Sequence, residues 1–137
     1  MADQIRRVDY YYVEIPDQPG EGVKVLIALK EAGVNLLSFT AFPTSAGRAQ
    51  LDLVTDNPEG LQRAAKNARL TLSQRKQAFF VQGTENRAGA AADVLRKLAS
   101  AGINVRAANG AASPAGFGII VWVAPSDYAR AAQTLGA

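Results

Sequence analysis

The sequence predicts an α+β fold built from two similar halves, each a β-sheet with helices packed on one face. Three observations support this prediction. The chain aligns with itself, without a gap, at a shift of 69 residues. In each half, short β-branched and aromatic segments alternate with segments whose apolar residues recur every three or four positions. Glycine and proline separate these segments at matching places in the two halves.

The internal repeat consists of identical residues at corresponding positions of the two halves. They include helix-core leucines, the glycine that ends a helix and the glycine of a turn, a combination that chance matching does not produce. We therefore predict a tandem repeat, with the first copy over 1–75 and the second over 76–137. The matched pairs are Gly20 and Gly89, Val25 and Val94, Leu26 and Leu95, Leu29 and Leu98, Ala32 and Ala101, Gly33 and Gly102, Asn35 and Asn104, Gly47 and Gly116, and Val54 and Val123.

The first copy has the segment order βαββαβ. Its first strand is the β-branched and aromatic segment 8–15, which the proline- and glycine-containing segment 16–20 interrupts. A helix with an apolar stripe follows and ends at Gly33, a residue that is free to adopt a positive φ. The remaining predicted elements are strands 34–43 and 48–55 around the turn 43–47, a second helix from the cap Asn57 to about Ala68, and a short fourth strand over 70–74.

The second copy repeats this order up to its second helix. Both copies are then of the ferredoxin-like type, with two helices on one face of an antiparallel sheet. The predicted elements are strand 78–83, helix 89–101, strands near 103–109 and 117–124, and a helix over 126–135.

The sequence ends at Ala137, so we expect the second copy to lack its fourth strand. Its first strand, Ala78–Gln82, is then an unpaired edge rich in apolar residues, which favours aggregation unless it is covered. A homodimer covers such an edge by strand pairing, and this is the expected assembly. The alternative is that segment 70–73 of the first copy serves both sheets.

The composition argues against several classes of function. The chain has no cysteine and no histidine, which removes disulfides, zinc–thiolate sites and the commonest general base at neutral pH. The sequence contains no nucleophile motif and no phosphate-binding loop. No apolar run reaches the ~20 residues that span a bilayer, and the N-terminus lacks an export signal. We expect a cytoplasmic, non-catalytic protein that needs no cofactor and does not contact a membrane.

The formal net charge of +3 is unevenly distributed. Residues 1–69 carry 8 Lys and Arg against 9 Asp and Glu, whereas residues 70–137 carry 7 against 3. A basic second half favours anionic partners, from a small carboxylate to nucleic acid. An ordinary solvated surface with a few additional arginines explains the same distribution.

Candidate ligand-binding residues recur around the first helix of each copy. A polar residue lies three positions before the glycine that opens the helix, where unsatisfied backbone N–H groups attract a carboxylate or phosphate. An asparagine follows the helix at its far end, and its amide can bind both the carboxylate and the ammonium of a zwitterion. The candidates are Asp17, Gly20 and Asn35 in the first copy, and Asn86, Gly89 and Asn104 in the second.

Purely structural roles explain the same residues. Asp17 and Asn86 suit helix caps or turns, and an asparagine after a helix-ending glycine tolerates unusual dihedral angles. Their joint recurrence at a fixed spacing favours ligand binding. Because the loop and the asparagine lie at opposite ends of the predicted fold, we expect the ligand to bind at an interface between two copies.

The segments around the two first helices resemble the signature of ACT domains, small regulatory modules that bind amino acids. The first copy reads DQPGEGVKVLIALKEAGVNL over 17–36, and the second reads ENRAGAAADVLRKLASAGINV over 85–105. The second copy is similar to the serine-binding regulatory domain of phosphoglycerate dehydrogenase. The resemblance implies that Asn86 and Asn104 grip the ligand and that Gly89 allows its close approach, with Asp17, Gly20 and Asn35 as the equivalents in the first copy.

Two residues depart from the family pattern. Ala88 stands where the family has proline, which loosens the loop without removing a ligand group. Asp17 stands where the serine-binding version has asparagine, and its charge is expected to repel a ligand carboxylate. We therefore expect one class of occupied site in an allosteric, amino-acid-binding regulatory protein that acts on an unidentified enzyme or other partner.

The alternative function is RNA binding of the RNA-recognition-motif type, which has the same order of elements. Segment 115–123 partly resembles the signature of that motif, and segment 78–83 supplies a second aromatic strand. However, Ala115 and Ile119 replace a basic and an aromatic residue of the signature. The first copy has no aromatic residue in the corresponding strand, so the sequence does not favour nucleic acid as a partner.

Overall fold

Residues 3–137, which this computed structural model describes, form six β-strands and four α-helices. Neighbouring strands pair in the order β2-β3-β1-β4-β6-β5. The predicted α+β fold, with an antiparallel sheet and four helices, is confirmed. The elements are β1 (Gln4–Pro16), α1 (Glu21–Glu31), β2 (Ser38–Ser45), β3 (Arg48–Thr55), α2 (Pro58–Asn67), β4 (Lys76–Gly83), α3 (Ala90–Ser100), β5 (Val105–Ser113), β6 (Gly116–Val123) and, after a 3₁₀ turn at Pro125–Asp127, α4 (Tyr128–Leu135).

The chain divides into two compact units. The first unit is Asp9–Lys76, and the second is Gln77–Ala137 together with the described residues up to Val8. Strand β3 pairs with β1 and β2 in the first unit, and β6 pairs with β4 and β5 in the second. Each unit therefore has an outer strand, β2 or β5, whose residues are mostly exposed.

Each unit has its own hydrophobic core, to which both its strands and its helices contribute. In the first unit, Tyr11 and Leu53 from the strands pack in one buried cluster with Leu29 from α1 and Leu61 from α2. Complete burial of one such side chain stabilises the fold by roughly 1.5–3 kcal/mol. The second unit buries a matching cluster that includes Phe79, Val81, Val94, Leu98, Ile103, Val121, Ala131 and Leu135.

The repeat extends to backbone conformation. Three glycines of the first copy adopt a positive φ, and so do the three glycines found 69 residues later. These positions are the start of the first helix, its end, and the turn between the two following strands. The pairs are Gly20 and Gly89 at 89° and 84°, Gly33 and Gly102 at 70° and 72°, and Gly47 and Gly116 at 76° and 134°.

The end of α1 explains a difference between the predicted and observed start of β2. The prediction placed the strand from residue 34, whereas β2 begins at Ser38. Val34 is buried, and its N–H donates to the carbonyl of Leu29 at 2.9 Å, so this residue still belongs to the helix end. This bond is of the kind that closes a helix after a left-handed glycine, and the strand starts only beyond it.

The predicted short fourth strand of the first copy is reduced to one bridge. Leu72 pairs with Val13 of β1 as an isolated antiparallel bridge. The N–H of Ser73 donates to the carbonyl of Tyr12, and the Ser73 hydroxyl accepts from the N–H of Tyr12, both at 2.9 Å. Segment 70–74 therefore lies where a fourth strand belongs, beside β1, but a side-chain hydrogen bond replaces part of the ladder.

The prediction that Ala78–Gln82 forms an unpaired edge is wrong. Strand β4 has β1 as its neighbour, and the residues of β1 up to Val8 belong to the second unit. Only residues 9–16 of this 13-residue strand pair with β3, so its first residues are available to β4. Ile5 packs against the core of the second unit. The start of β1 thus covers the edge for which a homodimer was predicted.

Asp52 is the buried carboxylate of the first unit. It lies on β3, is only 8% exposed, and accepts a hydrogen bond from the Gln50 amide at 2.9 Å. Burial raises the pKa of Asp52 above its ordinary value of 3.8, and the Gln50 hydrogen bond and the charge of Lys76 oppose this rise only in part. The folded state therefore holds the Asp52 proton more tightly than the unfolded state does.

Asp52→Asn is expected to raise the melting temperature by a few degrees at pH 8. When the pKa of a carboxyl is raised on folding, the folded protein loses stability as the pH rises from the unfolded-state pKa through the folded-state pKa. The neutral amide of asparagine does not titrate and so removes that loss. The gain should therefore shrink towards pH 4. Thermal melts at both pH values test this, with the exposed Asp17→Asn as control. Equal effects of Asp52→Asn at the two pH values would contradict the assignment.

Candidate functional site

The two loops that precede the first helices are not held by side-chain caps. Gly20 and Gly89 are the N-cap residues of α1 and α3, and neither helix receives a side-chain cap hydrogen bond. Asp17 and Asn86 are exposed, and their side chains make no hydrogen bond to any residue within 3–137. The structural explanation of these two residues as helix caps is therefore wrong.

Helix α2, unlike α1 and α3, has an asparagine side chain as its N-cap. The side-chain oxygen of Asn57 accepts the N–H of Gly60 at 3.1 Å, as the sequence predicted for this N-cap. Such a bond satisfies one of the unpaired N–H groups at a helix start. Asp17 and Asn86 lack this bond, so their polar groups are available to a ligand.

Asn35 and Asn104 are also exposed at the far ends of α1 and α3. The backbone carbonyl of Asn35 accepts from the Thr55 hydroxyl at 3.5 Å, but neither asparagine side chain makes a hydrogen bond within the described part of the chain. The glycines two positions earlier, Gly33 and Gly102, adopt the left-handed backbone conformation, and the asparagines do not. An unusual dihedral angle therefore does not explain why asparagine occupies these positions.

The loop and the asparagine of one copy lie at opposite ends of one helix. Helix α1 has 11 residues, which corresponds to a length of ~16 Å. Helix α3 also has 11 residues. Asp17 and Asn35 are therefore separated by a helix length, as are Asn86 and Asn104. The structure does not bring the predicted site residues of one copy together.

A groove of about 350 Å³ lies at the C-terminal end of α1 in the first unit. It includes Asn35, one of the predicted site residues, and the exposed Lys30, and it is open to solvent. This volume is at the lower end of the roughly 300–1,000 Å³ typical of small-molecule sites. The groove is lined by Leu26, Leu29, Lys30, Gly33, Val34, Asn35, Leu36 and Phe39. The repeated motif in the sequence points to Asn35 but not to Lys30, whose counterpart in the second copy is Ala99.

The loop that carries Asn86 is anchored through its neighbour Arg87. The guanidinium donates to both carboxylate oxygens of Asp3, at 3.0 and 2.8 Å, and approaches Asp93 at 3.5 Å. It also lies over the Phe117 ring, 5.7 Å from the centroid. The hydrogen bond from Arg87 is the main cause that lowers the pKa of Asp3 below 3.8. The sequence does not reveal this contact, because its partners are 84 residues apart.

The base of the same loop packs tightly against the turn between β5 and β6. A Cβ atom at Gly116, whose φ is 134°, would overlap the carbonyl oxygen of Gly83. A Cβ at Gly83 would come within 2.7 Å of the Asp3 carboxylate and would overlap the Phe117 ring. Only glycine fits at both places, so the loop that carries Asn86 has a fixed starting point.

The described residues also bear on metal binding, membrane insertion and RNA binding. No group of three His, Cys, Asp or Glu side chains within 3–137 is arranged to hold a metal ion. No helix in that range is long and apolar enough to cross a membrane. Phe79 and Trp122 are buried, and Phe80 lies under the Arg6 guanidinium at 5.3 Å. Stacking of nucleic-acid bases needs exposed rings, so nothing here favours RNA.

Asp3→Ala is expected to accelerate hydrogen exchange several-fold at the backbone amides of residues 84–89, because Arg87 loses its two-point contact. The equivalent loop of the first copy, residues 17–20, has no such contact and serves as the internal control. Asp93→Ala removes only the 3.5 Å contact and should have a smaller effect. Hydrogen-exchange mass spectrometry of the three proteins measures this. Unchanged exchange in 84–89 would show that Asp3 does not hold the loop.

No protein-family model matches the sequence, and a search of curated proteins finds no match. Solved structures do match. Protein BT0572 from Bacteroides thetaiotaomicron has a TM-score of 0.81 at 16% identity, over 96% of this chain and 88% of that chain. The regulatory subunits of aspartate kinase from Thermus thermophilus and Thermus flavus have TM-scores of 0.68 and 0.61, at 18% and 23% identity. Each match covers 98% of this chain and 94% of the subunit. The chain therefore has the fold of these regulatory subunits.

Proposed function

We propose that this protein is a non-catalytic regulatory protein of the ACT type that binds a free amino acid. One observation carries the proposal. In both copies, exposed polar side chains without intramolecular partners stand at the two ends of the first helix, at the positions that the ACT resemblance assigns to the ligand. The fold shared with aspartate kinase regulatory subunits supports a regulatory rather than a catalytic role.

The chemistry of the two helix ends suits a zwitterion. The N-terminal end presents unpaired N–H groups and a partial positive charge, which favour a carboxylate. The C-terminal end carries a partial negative charge, which favours an ammonium group. The side-chain amides of Asn35 and Asn104 supply both a donor and an acceptor. An α-amino acid offers the matching pair of charges.

A ligand that contacts both a loop and an asparagine needs two copies. The ends of α1 are ~16 Å apart, and the backbone of a free amino acid is far shorter. We therefore propose that two chains form the site, with the loop from one chain and the asparagine from the other. This geometry supports a homodimer independently of strand pairing at β4, and an isologous dimer is the commonest assembly of this kind.

The proposed partner is an enzyme in another chain. Several similar structures are regulatory subunits or domains of aspartate kinase, and another contains the alpha and beta subunits of aspartokinase. A regulatory protein with this fold acts by changing its contacts when the ligand binds, because a ligand shifts an equilibrium only through its different affinities for two states.

Thermal melts with each of the twenty amino acids test ligand binding. At ~100 times the dissociation constant, a ligand that binds only the folded state should raise the melting temperature by several degrees. The double variant Asn35→Ala, Asn104→Ala should lose this shift. Asn67→Ala, an exposed asparagine at the end of α2, is the matched control. The proposal fails if no amino acid at millimolar concentration shifts the melting temperature of the unsubstituted protein.

Multi-angle light scattering at micromolar concentration tests the proposed assembly. We expect the mass of two chains, and we expect the amino acid found in the thermal screen to strengthen the dimer because it contacts both chains. Asp17→Lys should strengthen ligand binding at a site that uses this loop, because it removes a charge that is expected to repel the ligand carboxylate, and it should not unfold the chain, since Asp17 is exposed. The mass of a single chain, with and without ligand, would exclude the two-chain site.

A further inference from the structure

We infer that the groove at the end of α1 selects an amino acid with an apolar side chain, and that Lys30 binds the carboxylate of this ligand. The inference rests on the proposed function, since it specifies which amino acid the protein binds and where. It assigns a role to Lys30, Leu36 and Phe39, which are not among the residues that are identical in the two copies.

The walls of the groove are apolar and only partly covered. Leu29 and Val34 are buried, at 2% and 8% exposure, whereas Leu26 and Leu36 are half-buried. Phe39 of β2 lines the groove and is 51% exposed. A ligand that covered this surface would remove apolar area from water, which favours binding. The walls therefore favour an apolar ligand side chain over a polar one.

The polar groups of the groove match the charges of an amino acid. Lys30 lies in the last turn of α1, is exposed, and forms no ion pair with any other residue of the described range 3–137. It is the positive group beside a helix end that otherwise carries a partial negative charge. The helix end and the Asn35 side-chain oxygen favour the ligand ammonium, and Lys30 adds a positive charge for the carboxylate, which the loop of the second chain also contacts in the proposed two-chain site. Both charges of the zwitterion then have a partner.

The repeat provides an internal comparison that places this site in the first copy. The 69-residue shift retains the leucines and the asparagine of the groove, since Leu26, Leu29 and Asn35 correspond to Leu95, Leu98 and Asn104. It replaces the two residues that decide ligand chemistry, because Lys30 corresponds to Ala99 and Phe39 to Ala108. The second copy lacks both the cation and the aromatic wall at these positions.

The Asp17 carboxylate of the same chain lies too far away to oppose a ligand in this groove. The sequence suggested that its charge repels a ligand carboxylate in the first copy. Asp17 lies beyond the N-terminal end of α1, however, whereas Lys30 and Asn35 lie at the C-terminal end. The intervening ~16 Å exceeds the Debye length of about 8 Å at physiological ionic strength. The Asp17 carboxylate of the same chain therefore has little effect on a ligand bound beside Lys30.

Isothermal titration calorimetry of the full chain tests the inference with named ligands. L-leucine and L-phenylalanine should bind at least tenfold more tightly than L-serine and L-aspartate. Lys30→Gln should weaken L-leucine binding about tenfold, as expected when a charged hydrogen-bond partner is lost. L-leucinamide, which has no carboxylate, should bind weakly to the unsubstituted protein and be unaffected by Lys30→Gln. Lys66→Gln, in the last turn of α2, is the matched control for the helix end.

Several outcomes would overturn the inference and are distinguishable from failure of the proposed function. Tighter binding of L-serine or L-aspartate, or equal effects of Lys30→Gln and Lys66→Gln, would exclude the apolar site while leaving amino-acid binding intact. If Phe39→Ser changes the sedimentation coefficient without ligand but leaves L-leucine affinity unchanged, a second copy occupies the groove and the inference fails. Absence of binding by all twenty amino acids would overturn both proposals.

Discussion

A left-handed backbone conformation at both ends of α1 decides which polar groups of the first unit are exposed. Gly20 begins the helix at a φ of 89°, and Gly33 follows its end at 70°. A Cβ atom at either position would meet no heavy atom within 4 Å, so the requirement is for the dihedral angle and not for space. Residues that carry a Cβ atom rarely adopt this backbone conformation without strain. The two glycines therefore fix where the loop stops, where the helix stops, and where Asn35 emerges.

The same backbone in the two copies carries different chemistry at exposed positions of the first helix, whereas core positions of that helix such as Leu29 and Leu98 keep the same residue. Leu29 and Leu98 both lie in the core of their unit, where a change of shape is costly. Lys30 and Ala99 follow them by one residue and are exposed, so they vary without loss of the fold. A duplicated domain can thus keep its architecture and lose, or gain, a ligand site by changing one or two surface residues.

The second unit depends on residues that the sequence places far from it. Ile5 contributes to its core, and Asp3 holds Arg87 in the loop next to the candidate Asn86. The two-point contact between a guanidinium and a carboxylate has a defined direction, so it orients the loop as well as stabilising it. A segment at the start of the chain therefore helps to shape a candidate site that begins more than 80 residues later.

The sequence by itself determined the local structure: the repeat, the helix ends, the Asn57 cap and the exposed polar residues beside the helices. These follow from apolar periodicity and from the backbone preferences of glycine and proline, which act over a few residues. Only the tertiary structure decided which strand lies beside β4, because a strand edge accepts any neighbour that packing brings to it. The tertiary structure also decided that Lys30, Asn35 and Phe39 share one groove. They come from a helix, a turn and a strand, and no spacing in the sequence specifies how these elements pack together.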